Sequence, residues 1–477
     1  MRTKGRRCDR CRAPGRGGCR PDGAGEGFEL ESTFIDAVAD ALQRDDRAQL
    51  HDLIADVHDA DVADLLQSLD GERRRDFVEA TRADFRPQVL AELNETVRDE
   101  VMEVLGPQET AAALTALETD DAVLVLSELG AAEQRQLLDE IPAEERALIE
   151  EGLGYPEYSA GRLMRRELVA VPTFWSVGET IDYLRHAADQ EDNVLPQEFH
   201  DIFVVDPAHR PAGALNLSRL LRTRRPVPVT DIMETEIRVI ATDTDQEDVA
   251  FLFRQRDLTS APVVDRGGRL VGVITIDDVV DVIDEEHEQD FMSLGGVAHD
   301  DLYRATIDTA RSRFTWLMVN LGTAILASLV IGAFASTIEQ IVALAVLMPI
   351  VASMGGNAGT QTLTVAVRAL ATKELTPANA ARVVSKELLV GVLNGSLFAV
   401  AAAAVAWLWF GSAGIAAVIA LAMVANLVVA AFAGATIPLL LERYGVDPAI
   451  ASGVFLTTVT DVVGFFAFLG LAALLLL

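Results

Sequence analysis

Five stretches in the last third of this 477-residue chain, about 314–335, 341–366, 387–410, 413–440 and 449–477, are predominantly apolar. Each meets the roughly 20 residues that a helix needs to cross a bilayer. That concentration excludes a purely soluble protein, and the length excludes a single small domain, because single cores stop growing near about 250–300 residues. The charge is just as unevenly placed. Residues 1–27 hold 8 Lys and Arg against 3 Asp and Glu, residues 301–477 hold 8 of each, and residues 28–300 hold 24 basic and 61 acidic groups. A cytoplasmic surface so negative repels a phosphate backbone, so nucleic acid is not an expected partner; it attracts divalent cations.

Loop charges orient the spans. Arg304, Arg311 and Arg313 precede the first, Arg368, Lys373, Arg382 and Lys386 separate the second from the third, and Arg443 separates the fourth from the fifth. The loops around 336–340 and 411–414 have no Lys or Arg. Positive loops stay inside, so the acidic N-terminal part is expected in the cytoplasm and the C-terminus outside, as an odd number of spans requires.

Within the spans, Asp461 is the conspicuous acid, following Thr457, Thr458, Val459 and Thr460. A carboxylate at the bilayer centre costs at least about 2.5–3.5 kcal/mol and is a functional candidate by default, and no basic residue lies at similar depth to neutralise it. The second span carries Gly355, Gly356, Asn357, Gly359 and Gln361. A G-x-x-x-G alone marks close helix packing. Asn357 and Gln361, four apart, fall on one face. Amides at that depth either tie helices or line water, and Asn426 in the fourth span is a third candidate.

Ahead of the membrane third, residues 30–155 read as helix after helix. Val62, Leu65, Leu66 and Leu69 keep helical spacing, as do Leu114 with Leu117 and Leu137, Leu138 with Ile141, between breaks such as Asp70-Gly71 and Gly106-Pro107. Pieces with one apolar stripe bury it by stacking, which predicts a helical repeat. The Arg- and Gly-rich residues 1–29 are expected to be a disordered basic tail. Its Cys8, Cys11 and Cys19 are one ligand short of a structural zinc site.

From Arg162 to Glu286 short β runs alternate with helices. Arg238–Ile240, a helix over Gln246–Arg256, strands at Ala261–Val264 and Leu270–Ile274 and a helix from Asp277 make a β-α-β-β-α unit, which resembles a cystathionine-β-synthase (CBS) domain. Residues 156–226 repeat it more loosely, with strands near Ile202–Val205 and Ala212–Leu215. The resemblance implies a paired regulatory module whose cleft can hold an adenosine-type ligand, with ATP as the candidate regulator. Thr275 and Asp278 have the spacing for it, and equally that of an N-cap with an acid in the first helical turn.

The string from Met348 to Leu375, the segment Tyr155-Pro156-Glu157 through Gly161-Arg162-Leu163-Met164, the CBS pair, Gly445-Val446-Asp447-Pro448 and the Thr-rich run ending at Asp461 occur in the order seen in the MgtE family of magnesium channels, which the chain resembles over about residues 30–477. What the resemblance implies is a multi-domain membrane protein: a helical-repeat N-domain (30–155), a CBS pair (156–226 and 227–284), a connecting helix (285–310) and a five-helix transmembrane domain (311–477). It implies a homodimer in the lipid of the cell membrane that imports Mg²⁺ through one pore. The pore would use Asp461, extended by Thr457, Asn357, Gln361 and Asn426. The resemblance further implies closure when Mg²⁺ bridges cytoplasmic acids, here Asp245, Glu247, Asp257, Asp278, Asp281, Glu286 and Asp290, with Asp447 on the membrane side. Tyr158, Gln289 and Gly453 depart from the family pattern. The rival readings are a carrier for Co²⁺ or Ni²⁺, which oxygen ligands disfavour, and a membrane-anchored sensor that conducts nothing. No nucleophile, base and orienter set suggests an enzyme.

Overall fold

The computed structural model describes residues 32–189, 195–196, 199–297 and 306–477. The basic tail with Cys8, Cys11 and Cys19, and Arg304, lie outside them. The chain forms two compact units, Met1–Thr244 with Ser260–Ile274, and Asp245–Thr259 with Thr275–Leu477.

In the first unit, ten α-helices are described between Ser32 and Leu153. The leucines that mark their apolar stripes, among them Leu65, Leu66, Leu69, Leu114, Leu137 and Leu138, are buried in one continuous core. A polar device recurs beside it. Arg74 donates from Nε to Leu66 O (2.9 Å) and from Nη2 to Leu69 O (2.9 Å), while its Nη1 pairs with Glu100. One repeat on, Arg98 donates from Nε to Leu90 O (2.8 Å) and pairs with Glu128. Gln134 and Arg146 make the same eight-residue reach back, to Leu126 O (3.0 Å) and Leu138 O (3.4 Å). The last carbonyls of a helix have no partner within it, and these side chains supply one where water is excluded.

Two three-stranded sheets follow. In the first, β1 (Ala170–Pro172) runs parallel to β2 (Asp201–Val205), with Ala170 opposite Phe203, and β2 pairs antiparallel with β3 (Pro211–Asn216), with Ile202 opposite Leu215. The second has the order β4 (Ile240–Ala241), β5 (Ser260–Val264), β6 (Leu270–Thr275). The strand expected at Arg238–Ile240 begins only at Ile240. The segment leaving the helical repeat pairs with the second sheet, Ala160 N–H to Thr244 O and Gly161 N–H to Thr242 O, and Arg165 exchanges two backbone bonds with Val273.

In the second unit the helix Gln246–Arg256 has the expected bounds, and the helix Ile276–Gly295 precedes the membrane part. Of the connecting helix expected over 285–310, residues 285–295 continue that helix, which stops at Gly295, and residues 298–305 lie outside the described residues. Gly296 takes a left-handed φ of 67°, and Val297 N–H returns to Met292 O, which closes the helix end.

Five helices long and apolar enough to span follow: Thr306–Ala333, Ala343–Ala371, Ala380–Phe410, Ala413–Arg443 and Pro448–Leu476. Where a plain loop was expected at 336–340, a short helix, Ala335–Gln340, joins the first two. The fourth span is the most buried and the first the least. Association inside lipid relies on close backbone approach through small residues. A Cβ on Gly434 of the fourth span would lie 2.7 Å from Gly359 O of the second, and one on Gly391 of the third 3.0 Å from Leu427 O of the fourth.

Candidate functional site

The fifth span starts where Asp447 accepts the Ala449 N–H at 2.7 Å, with Pro448 in the first turn, where a missing donor costs nothing. Gly453, Thr457 and Asp461 then succeed one another four residues apart, on one face. Thr457 is exposed in the single chain and Asp461 partly exposed, and among the described residues no Lys, Arg or His lies within ion-pair distance of Asp461. Thr457 donates its hydroxyl proton to Gly453 O at 2.9 Å. Its oxygen therefore faces outward as an acceptor.

On the second span the amides belong to a longer polar stripe. Ser353, Asn357, Thr360, Gln361 and Thr364 recur at helical spacing and are all exposed. Asn357 Nδ2 approaches Ser353 Oγ at 3.4 Å, and Thr360 and Thr364 donate to Gly356 O (3.0 Å) and Thr360 O (2.9 Å). Such a stripe does not face hydrocarbon stably; it lines water or meets other protein. The sequence reading found Asn357 and Gln361 and missed Ser353, Thr360 and Thr364, although the i, i+3, i+4, i+7 recurrence of polar residues at 357, 360, 361 and 364 was there to be counted. The second and fifth spans pack together, with the Leu456 side chain seated on Gly359.

Asn426 does not join this stripe. It is fully buried, and its Nδ2 donates to Val351 O at 2.9 Å, so it ties the fourth span to the second. Its amide has no exposed face to offer an ion. Conversely, Glu387 went unnoticed because the third span was expected to begin there. The helix starts at Ala380, so Glu387 lies two turns in, buried, and accepts a hydrogen bond from Thr362 Oγ1 at 3.3 Å.

The acids singled out for ion sensing divide into those the fold brings together and those it does not. Asp245 caps the helix Gln246–Arg256, accepting the Glu247 N–H at 2.9 Å. Glu286 and Asp290 are one turn apart on the helix Ile276–Gly295, and Gln246 Nε2 donates to Glu286 Oε1 at 2.7 Å. Glu247 stays exposed on one side, but protein on the other strips part of the water from its carboxylate, and it is repelled by Glu286, Asp245 and Asp290. These effects raise its pKa to about 7, with Lys373 opposing them. Partial burial, then Asp447 and Glu286, push Asp290 upward in turn, against His287. Asp245, Glu247, Glu286, Asp290 and Asp447 thus share one electrostatic neighbourhood. Lys373 enters it from the loop after the second span, pairing with Asp248 and lying 4.9 Å from the Phe251 ring.

Asp257 lies outside that neighbourhood, in a left-handed turn at the far end of the helix that Asp245 caps. Asp278 accepts the Thr275 N–H at 3.2 Å and the Thr275 hydroxyl at 2.7 Å, a capping box. The pair with the spacing for an adenosine-type ligand therefore closes a helix end. Asp281, one turn on, is exposed. Among the described residues no three of His, Cys, Asp and Glu are close enough to hold a metal ion directly.

Residues 348–471 match the MgtE family, described as divalent cation transporters, residues 57–158 the MgtE intracellular N domain, and residues 229–285 the CBS domain. The chain is 33% identical over 465 residues to the magnesium transporter MgtE of Thermus thermophilus, covering 94% of this chain and 99% of that one. It is 28% identical over 451 residues to the magnesium transporter MgtE of Bacillus subtilis, covering 93% and 97%. A solved structure, the cytosolic domain of the Mg²⁺ channel MgtE in complex with ATP, is 33% identical, with a TM-score of 0.48, and covers 52% of this chain and 99% of that one.

Proposed function

The chain belongs to the MgtE family of divalent cation transporters, and from that premise we propose that it is a Mg²⁺ channel of the cell membrane, working as a homodimer and closed by cytoplasmic Mg²⁺. The observation that carries the reading is Asp461: an acid within a span, partly exposed in the single chain and with no cation beside it among the described residues. A membrane anchor that conducts nothing has no use for a carboxylate at that depth. Two copies about a twofold axis would supply a ring of negative charge. Mg²⁺ gives up its water reluctantly, so carboxylates and acceptor oxygens that reach the hydration shell suit it better than a tight protein cage. Thr457, Asn357, Thr360, Gln361 and Thr364 offer such oxygens.

The acids around Glu247 support the regulatory half. Five carboxylates in one neighbourhood repel, and a hydrated dication among them relieves the repulsion and draws together the elements that carry them. Among the described residues no three acids are close enough for direct coordination, so in this reading the ion is held through its waters. In this reading the acidic part and N-terminus are cytoplasmic and the C-terminus is outside, as the loop charges require.

The test is Mg²⁺ uptake by the full-length protein in liposomes carrying an internal Mg²⁺ dye. Asp461→Ala should reduce uptake to the level of empty liposomes while the protein stays assembled. Parent-like uptake by that variant would remove the pore assignment.

A further inference from the structure

The fourth span lines no exposed polar stripe, yet it contains the most deeply placed amide of the membrane domain. Asn426 is fully buried, and its Nδ2 bonds to Val351 O at 2.9 Å. Two glycines on two other spans make room for it. A Cβ on Gly355 of the second span would lie 2.2 Å from Nδ2, and one on Gly464 of the fifth 2.8 Å from Nδ2 and 3.1 Å from Oδ1. The amide therefore fills a notch whose walls are the backbones of the two helices that carry the candidate pore residues. Gly464 is three residues beyond Asp461, and Gly355 is two before Asn357. The acceptor of the bond, Val351 O, is four residues before Gly355, so amide, carbonyl and notch lie within one helical turn of the second span.

From this junction we infer that Asn426 is a positioning residue, fixing the rotation and height of the fifth span, and so of Asp461, against the second. The inference rests on the pore reading above. An apolar side chain in the same notch slides and rotates with little penalty, because it has no directional bond to lose. The amide does not, since any slip of the second span breaks the bond to Val351 O, and any rotation of the fifth brings a side chain in place of Gly464 against the amide. Its Oδ1 is buried with no hydrogen-bond partner among the described residues. A buried acceptor left in that condition is costly, which marks a group retained for placement rather than for packing alone.

The experiment uses the full-length chain in liposomes, with Cys8, Cys11 and Cys19 replaced by Ser and Thr457→Cys as a reporter for a membrane-impermeant methanethiosulfonate. Asn426→Leu keeps the bulk and removes the bond. It should change the labelling rate at position 457, and the Mg²⁺ concentration for half-maximal uptake measured without the reporter, by about three- to tenfold, the range for one interhelical hydrogen bond. Gly464→Ala, which evicts the amide from the other side, should shift both in the same direction, and it replaces the Leu variant if that one fails to assemble. Asn426→Ala combined with Gly464→Ala restores room without the amide and should leave both readouts displaced. Unchanged labelling in the assembled single variants, or full recovery in the double variant, overturns the inference. Asp461→Ala is run alongside with Asn426 intact: parent-like uptake there sinks the pore reading, whereas labelling, which needs no transport, still decides the placement of the fifth span.

Discussion

Replacing Glu247 by Gln should make the acid cluster around it more stable, and only where the carboxylate would be charged. The folded pKa is about 7 against an ordinary 4.5, so folding favours the protonated form by about two and a half pH units. At 1.36 kcal/mol per unit that is about 3 kcal/mol of penalty for the charged group at high pH. Glu247 keeps solvent contact, and solvent screens such terms, so about 1 kcal/mol is the realistic size. The sign follows from linkage. Below about pH 4.5 the group is neutral folded or unfolded and contributes nothing; the penalty grows between 4.5 and 7 and is complete above 7. Limited proteolysis of the detergent-solubilised protein without divalent ions reads the population of the opened form. At pH 8 the Glu247→Gln variant should be cut about fivefold more slowly than the parent, and at pH 5 the two should converge. Adding Mg²⁺ at pH 8 should protect the parent more than the variant. Equal cleavage at pH 8, or the same difference at both pH values, would refute the reasoning.

Two further outcomes check the rest of the structure. Arg98→Met removes the ion pair with Glu128 and the donor to the Leu90 carbonyl, and should cost the helical repeat about 1.5–3 kcal/mol in denaturant unfolding, the range for hydrogen bonds to a charged group. Asp278→Ala removes the acid of the Thr275 capping box and should cost about 1 kcal/mol in a thermal melt, equally with and without ATP; stabilisation by ATP that vanishes in this variant would instead make Asp278 a nucleotide ligand.

Periodicity disclosed most of the fold. The leucine stripes, the β runs of the two repeats and the five apolar stretches each express a local pattern that burial demands, and they were legible residue by residue. What stayed hidden depended on neighbours distant in sequence. Nothing local to Asn426 distinguishes a pore amide from one that ties helices, because the answer lies in Gly355 and Gly464 on other spans. Glu387 was mistaken for the edge of a span because hydropathy registers its charge but not the amphipathic turns that extend the helix back to Ala380. Glu247 and the four acids around it were among eight chosen by resemblance, and only folding separates them from Asp257 at the far end of its helix, Asp278 in its cap and the exposed Asp281.

The hydroxyl hydrogens of Thr360, Thr364 and Thr457 all point back along their own helices, to Gly356, Thr360 and Gly453. A chloride ion passing these threonines would find lone pairs where it needs protons. The shell of a hydrated dication bristles with protons and finds a suitable surface on each. In the proposed pore, discrimination by sign of charge is thereby spread over several uncharged groups, so a variant without the Asp461 carboxylate would still not welcome anions.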